Sequence, residues 1–371
     1  MTTMKHNKYL HGFVNKVFPP KAVNGVYTNA DYLQILLEAA QKNGFLEGTC
    51  KQVDGACDAE TILGKLTGLK TDDLYEVFIK LIAPQLKRAK RFSRNRKVVV
   101  AGDITYEAYY GEDTSEWIHK FKSDKGSNGS YQFMVISIVL NGKRLILGIF
   151  PLRIGDKKQA ILEKLLIEAM RLLPIDAILL DRGFNSAKVI SLLKHLKLHY
   201  MILWKKHEWH RKVFKSMGRK KFRRLRHEII KSSHVVEKTE MIFVKGIKIK
   251  GDKKTYQWVF ATNIRRKRPI HYIRLYKHRW AIETKFRVTD ELRIKTKTKD
   301  MGKRFFLELF TGLLYNFWKW FRFTTDLNVA FSEFVDHLLK VHLEFNPTRK
   351  LKERQQTIRE SMKEVCFGIS A

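Results

Sequence analysis

Acidic residues are scarce in this 371-residue chain: 37 Asp and Glu stand against 72 Lys and Arg, a formal net charge of +35. That surplus exceeds what solubility requires and points to a polyanionic partner, nucleic acid first. Cysteine is nearly absent. Cys50, Cys57 and Cys366 form no CxxC pair and no zinc-type spacing, which excludes a disulfide framework and a thiolate zinc site and suits a reducing cytosol. The start, MTTMKHNKYLHGF, carries no apolar signal core, and the longest apolar stretches are too short or too charged to cross a bilayer. A Walker-type GxxxxGK loop, an internal repeat and a low-complexity block are all missing. The expected setting is the cytoplasm, in association with the nucleoid, with no membrane partner and no small-molecule substrate.

What is present is a folded, aromatic-rich chain, 44% hydrophobic. Residues 1–95 read as mostly helical, with helices predicted at 31–42, 58–66 and 71–90, the last ending in the basic run KRAKRFSRNRK. From Lys97 the period changes. KVVVAGDITY is a β-branched buried strand, followed by a polar, Gly/Ser-rich loop through Ser130. Two strands, 131–140 and 143–152, flank Asn141-Gly142, a strong hairpin signal. Then come a helix at 157–173, a strand at 175–180, a helix at 186–196 and a strand at 200–204. The fold class is therefore mixed α/β, antiparallel first and parallel afterwards.

The pattern breaks at Lys205. Lys205–Arg226 holds 11 Lys/Arg and one acid, with Trp209, Phe214 and Phe222 among the charges. Strands are predicted at 241–250 and 256–262 around Gly251-Asp252, making 205–262 a basic, mainly β insertion. Lys205, Arg211, Lys220 and Arg223 are its candidate phosphate contacts, and its aromatics could stack on bases. One long helix is predicted from soon after Pro269 through YKHRWAIETKFRVTDELRIKTKTK. On it Tyr276, Arg279, Glu283 and Arg287 share a face, which sets one carboxylate between two guanidiniums. The apolar stretch 303–323 reads as a core helix, Tyr315 and Asn316 included, and an amphipathic helix follows Asn328.

Two strand-end aspartates, Asp103 and Asp181, could share partners with Glu283. A carboxylate past a buried run needs a partner, although a strand-end Asp is as often a turn or cap residue. Three carboxylates are oxygen-only ligands for a hard divalent cation, and a pair of such ions serves phosphoryl transfer.

These residues carry a resemblance. GDITYEAYYG at 102–111, LLDRGFNS at 179–186 and YKHRWAIETKFR at 276–287 resemble, in order, the three motifs of the ribonuclease-H-like DDE transposases of prokaryotic insertion sequences. The last is similar to the Tyr-x2-Arg-x3-Glu-x6-Lys signature of the branch with a β insertion before the Glu. The signature Lys is Asp290 here, with Arg287 or Lys295 as substitute charges. The resemblance implies a ribonuclease-H-like mixed sheet flanked by helices over about residues 97–320. It implies that Asp103, Asp181 and Glu283 bind the metals, two Mg²⁺ ions for which Mn²⁺ substitutes. Tyr276 and Arg279 would hold the phosphate backbone near the element end, with Trp280 stacking on a base. Arg182 would neutralise substrate charge or pair with Glu283. His119, His207 and His210 match no role and read as surface histidines.

The implied function is cleavage of double-stranded DNA at the element's terminal inverted repeats and transfer of the freed 3′-hydroxyl to target DNA, by a homodimer. A related nuclease without strand transfer and a catalytically decayed DNA-binding protein are the alternatives. The implied domains are 1–95, helical, for DNA-end binding; 96–204 with 263–325, catalytic; 205–262, the basic insertion; and 326–371, a helical tail.

Overall fold

The structure is a computed structural model, described here over residues 2–18, 27–92, 97–112, 115–121, 124–140, 144–231, 234–249, 255–266 and 268–345. The turns at Asn141-Gly142 and Gly251-Asp252, Cys366 and the end of the chain lie outside these residues, as does part of the KRAKRFSRNRK run.

In chain order, helices α1 (Thr2–Val17), α2 (Asn29–Gln41), α3 (Leu46–Gln52), α4 (Ala59–Gly64) and α5 (Thr71–Phe92) come first. Strands β1 (Val98–Tyr109), β2 (Gly129–Leu140) and β3 (Ile146–Leu152) lead to α6 (Lys158–Leu172) and β4 (Ile175–Leu180). Then follow α7 (Ala187–His195), β5 (His199–Leu203), α8 (Glu208–Ser216), β6 (Phe222–Lys231), β7 (His234–Ile247) and β8 (Tyr256–Thr262). The chain continues with α9 (Pro269–Lys277), α10 (Trp280–Asp290), α11 (Met301–Thr325) and α12 (Phe331–Phe345).

The chain divides into two compact units, residues 86–286 and residues 1–85 with 287–371. The first is built on one eight-stranded sheet in the order β3-β2-β1-β4-β5-β8-β7-β6. The β1-β2-β3 meander is antiparallel, while β1, β4 and β5 are parallel, as their intervening helices require. The insertion is not a separate layer. β8 pairs antiparallel with β5, so β8, β7 and β6 carry the same sheet onward. The insertion also opens with the helix α8, and β6, which begins inside the basic stretch Lys205–Arg226, is a strand that the sequence reading does not place.

Its aromatics are packed rather than presented. Phe214 is buried with its ring edge-on to Phe243 at 5.3 Å, Trp209 stacks on His210 at 3.8 Å, and half-buried Phe222 stacks on Tyr272 at 5.9 Å. His210 is fully buried and not a surface histidine; its Nδ1 accepts from the His207 backbone at 2.9 Å. Of the three rings only Phe214 is buried; Trp209 and Phe222 are half-buried.

The other unit is helical. Phe13 of α1 stacks on Phe306 of α11 at 5.2 Å, and α12 packs on α1 and α2. Although α11 is 25 residues long and buried along most of its length, among the described residues no helix is long and apolar enough to cross a membrane. Tyr315 and Asn316 are buried in it as expected. Apolar on most faces, α11 groups with the N-terminal helices and not with the sheet, a grouping that a division in chain order does not anticipate.

Candidate active site

Strand register brings the two aspartates together. β1 and β4 run parallel, with Gly102 opposite Leu180 as the last paired rung. The next residues along the two strands are Asp103 and Asp181. A Cβ on Gly102 would lie 2.8 Å from Leu180 Cδ2, so a residue without a side chain lets this rung close. Gly102 went unremarked in the sequence; a lone glycine inside a β-branched run, directly before an Asp, was its signal.

Asp103 sits within β1 rather than at its end, since β1 continues to Tyr109 against β2. Its side chain is 15% exposed. Oδ1 accepts from the Ile104 backbone at 2.9 Å, and Oδ2 accepts from Arg279 Nη1 at 2.8 Å. Asp181 combines two roles. It caps the single 3₁₀ turn Arg182–Phe184 by accepting from Gly183 N at 2.8 Å, and it faces Asp103 electrostatically. Burial pushes the Asp103 carboxyl up to about 6; Arg279 opposes this, and the charges of Asp181 and Glu283 add to it. Ser186, not Asp181, caps α7 through Val189 N at 3.2 Å.

The third carboxylate arrives on a broken helix. One long helix through Lys299 does not form. α9 ends at Lys277, α10 starts at Trp280 and ends at Asp290, and the joint is a tightened turn. There Arg279 N bonds Tyr276 O at 2.9 Å and Ile282 N bonds Arg279 O at 2.9 Å, both i to i−3. Arg279 lies at this joint, one turn before Glu283, whose carboxylate accepts from its Nη2. The guanidinium thus bridges Asp103 and Glu283 while nearly buried itself.

Tyr276 is 1% exposed and presents no ring to a DNA backbone. Its hydroxyl donates to Leu180 O, at the end of β4, at 3.3 Å, and the Arg279 guanidinium lies 5.5 Å from its ring centroid. Both side chains are turned into the protein, Tyr276 toward the end of β4 and Arg279 toward Asp103 and Glu283. Burial raises the Tyr276 phenol further above its ordinary value.

The remaining candidates scatter. Trp280 is 38% exposed, with Lys277 Nζ 5.3 Å from its ring. Arg182 and Arg287 are exposed, and among the described residues neither forms an ion pair, so the expected Arg182–Glu283 and Arg287–Glu283 pairs are absent. Lys205, Arg211, Lys220 and Arg223 are all exposed, as phosphate contacts need to be. Asp290, at the signature Lys position, pairs with Arg293 at 2.9 Å, and Arg293 also pairs with Glu308 at 3.3 Å. Lys295 lies in the helical unit, bridged to Phe45.

Residues 108–317, more than half of the chain, match the family model described as the transposase DDE domain. The chain belongs to the DDE transposase family. The match takes in Asp181 and Glu283 and starts just past Asp103. No curated protein matches the transposase. Among solved structures, a piggyBac transposase in a synaptic complex with hairpin DNA is similar over 96% of this chain and 80% of that one, at 11% identity and a TM-score of 0.51. That likeness speaks for the fold, a ribonuclease-H-like mixed sheet. Endonuclease V from Bacillus subtilis (12% identity, 69% of this chain, 96% of that one, TM-score 0.23) overlaps far more loosely. So does Mos1 transposase in a paired-end complex with the left transposon end (15% identity, 54% and 66%, TM-score 0.20). Neither bears on the fold.

The family's chemistry depends on a divalent metal. The donor set fits one: three hard oxygen ligands coupled closely enough that two of them raise the proton affinity of the third. Among the described residues no three such side chains converge into a ready ligand group in this conformation, in which Arg279 stands between Asp103 and Glu283.

Proposed function

We propose that this transposase cleaves DNA at the ends of its insertion sequence and joins the freed 3′-hydroxyl to target DNA, with Asp103, Asp181 and Glu283 as catalytic carboxylates. The observation that carries the reading is the Arg279 bridge between Asp103 and Glu283, just past the last β1–β4 rung, where Asp103 and Asp181 are the next residues of the two strands. Three acids from two strands and a helix, compensated by one cation at the mouth of a sheet, are a site for hard cations and phosphate oxygens. Mg²⁺, with Mn²⁺ as substitute and two ions as the expected number, would supply Lewis acidity and a more acidic attacking oxygen there.

The chain's own residues do the rest. Asp103 and Asp181 are held by strand register, and Glu283 by the turn at Arg279. Tyr276 ties that turn to the end of β4. Arg279 balances charge among the acids and can pass its hydrogen bonds to a phosphodiester, for which its fork of donors is suited. Lys205, Arg211, Lys220, Arg223, Arg182 and Arg287 are exposed cations for the DNA backbone. Trp280, half-exposed near the active-site helix joint, serves to stack on a base. We assign end recognition to residues 1–95 with the basic insertion 205–262, catalysis to 96–204 with 263–325, and the tail to 326–371. The acting species is a homodimer pairing two inverted repeats, associated with the nucleoid.

The test is DNA nicking with Mg²⁺ or Mn²⁺ on a substrate carrying the gene's own flanking DNA, comparing the native protein with Glu283→Gln. Nicking that the substitution abolishes, together with joined products, is the expected result. Nicking without joining makes the protein a nuclease, and tight binding without nicking makes it a decayed DNA-binding protein. Nicking that survives in Glu283→Gln removes Glu283 from the site.

A further inference from the structure

Between α10 and α11 the helical unit carries a strap, KTKTK at 295–299, that forms no helix or strand and has no part in the reading above. Hydrogen bonds fix it all the same. Lys295 N donates to Gly44 O at 2.9 Å and Leu46 N donates to Lys295 O at 2.8 Å, on either side of Phe45. Thr296 Oγ1 and the Lys297 amide both donate to Glu47 Oε1, each at 2.8 Å. Buried Arg304 of α11 donates to Thr296 O at 3.0 Å and to Thr298 O at 2.7 Å.

These bonds sort the strap into two sides. The threonines face inward, Thr296 buried and Thr298 half-buried, while Lys297 and Lys299 are exposed. Two residues of chain span at most about 7 Å, so the two lysines follow each other on the scale at which phosphates succeed one another along a strand. Glu47, the acid that the strap touches, accepts from a hydroxyl and an amide, and Lys297 forms no ion pair among the described residues. Phe45 is bridged to Lys295 at the start of the strap and is 47% exposed. Like charges held in a row repel, and a polyanion relieves that repulsion as it releases its counterions.

We propose that Lys297 and Lys299 grip successive phosphates of one strand of the element-end duplex, with Phe45 against the base edges beside them. The proposal rests on the reading of this protein as one that binds its element's end DNA, and not on cleavage. It makes the strap, which lies outside residues 1–95 and 205–262, part of the end recogniser. The division of labour follows from chemistry. Cations on phosphates position the duplex without reading it, whereas an apolar ring in the major groove senses thymine methyl groups. The fixed backbone holds both kinds of contact in one register.

The test measures Kd against NaCl by fluorescence anisotropy on a duplex of the gene's own flanking DNA. Native protein is compared with Lys297→Gln/Lys299→Gln and with Lys8→Gln/Lys16→Gln, which removes the same charge from exposed positions of α1. The strap pair should make the slope of log Kd against log salt shallower by about two, and Lys297→Arg/Lys299→Arg should keep the native slope. The α1 pair should leave the slope unchanged. Phe45→Ala should also keep it, but should no longer distinguish thymine from uracil in the duplex as native protein does. A native slope in Lys297→Gln/Lys299→Gln, from a protein that binds the duplex, overturns the strap. So does an equal loss in the α1 pair, which would trace binding to net charge alone. Undiminished discrimination by Phe45→Ala overturns the base contact. Native protein with no affinity for the duplex at any salt overturns the DNA-binding reading and the strap with it.

Discussion

Arg279 donates from Nη1 to Asp103 Oδ2 at 2.8 Å, across 176 positions of chain. Both side chains are largely shielded, 9% and 15% exposed, so neither charge is well solvated without the other. The same guanidinium serves Glu283, which makes it the principal positive charge among three acids.

Removing that cation should destabilise the metal-free protein. Arg279→Gln leaves Asp103 buried without its partner, at a cost of roughly 3–5 kcal/mol. Asp103 can escape part of this by holding its proton. Millimolar Mg²⁺ should then raise the melting temperature of Arg279→Gln more than that of native protein, because the ion takes over charge that the guanidinium supplied. Thermal melts in EDTA and in Mg²⁺ decide it, and equal Mg²⁺ shifts in the two proteins would count against a metal site at these carboxylates.

Tyr276 separates positioning from DNA contact. Its buried hydroxyl reaches Leu180 O, so Tyr276→Phe should cost about 0.5–1.5 kcal/mol and lower the cleavage rate with DNA affinity unchanged. Trp280→Ala should do the reverse, weakening binding to element-end DNA with little effect on stability. Kd and single-turnover nicking rate, measured side by side for both variants, test the pair. Weakened DNA binding by Tyr276→Phe would restore the contact role that the sequence motif suggests.

The helical unit should be acid-sensitive. His6 and His342 are buried, and desolvation is the main force that lowers each to about 4. The unfolded chain binds these protons near pH 6.5 and the native state does not, so stability is present above that value and is lost as pH falls toward 4. Each histidine contributes up to about 3 kcal/mol to the loss. Urea midpoints between pH 7 and pH 5 should fall for native protein and fall less steeply for His342→Gln. Parallel slopes would mean that His342 is protonated in the fold.

DNA binding should collapse with salt. With a net charge of +35 and exposed cations along the insertion, neutralising 6–10 phosphates predicts a loss of about 10³–10⁵ in affinity between 50 and 200 mM salt. A titration of Kd against NaCl reads the slope directly. Substituting Arg223, which is exposed, should make it shallower by about one.

Much of this was legible in the chain. A β-branched apolar run announced β1, a hairpin signal β2 and β3, the period change at Lys97 divided helix from sheet, and three acid-bearing motifs in order named the family. Local physics decides such features, since side-chain periodicity and capping act over a few residues. Other features depended on partners far away in sequence. The joint between α9 and α10 shows no Gly or Pro; packing of Tyr276 under the end of β4 accompanies it. The insertion reads as a basic excursion, yet β8 pairs with the edge of β5, and Phe214 and His210 of α8 are buried against Phe243 of β7. Arg279 looks like a surface phosphate clamp until strand register brings Asp103 within its reach. The sequence by itself determined which residues carry charge and which carry the core. Tertiary structure decided which charges share one low-dielectric site, because burial and strand register are properties of the assembled sheet and no local pattern encodes them.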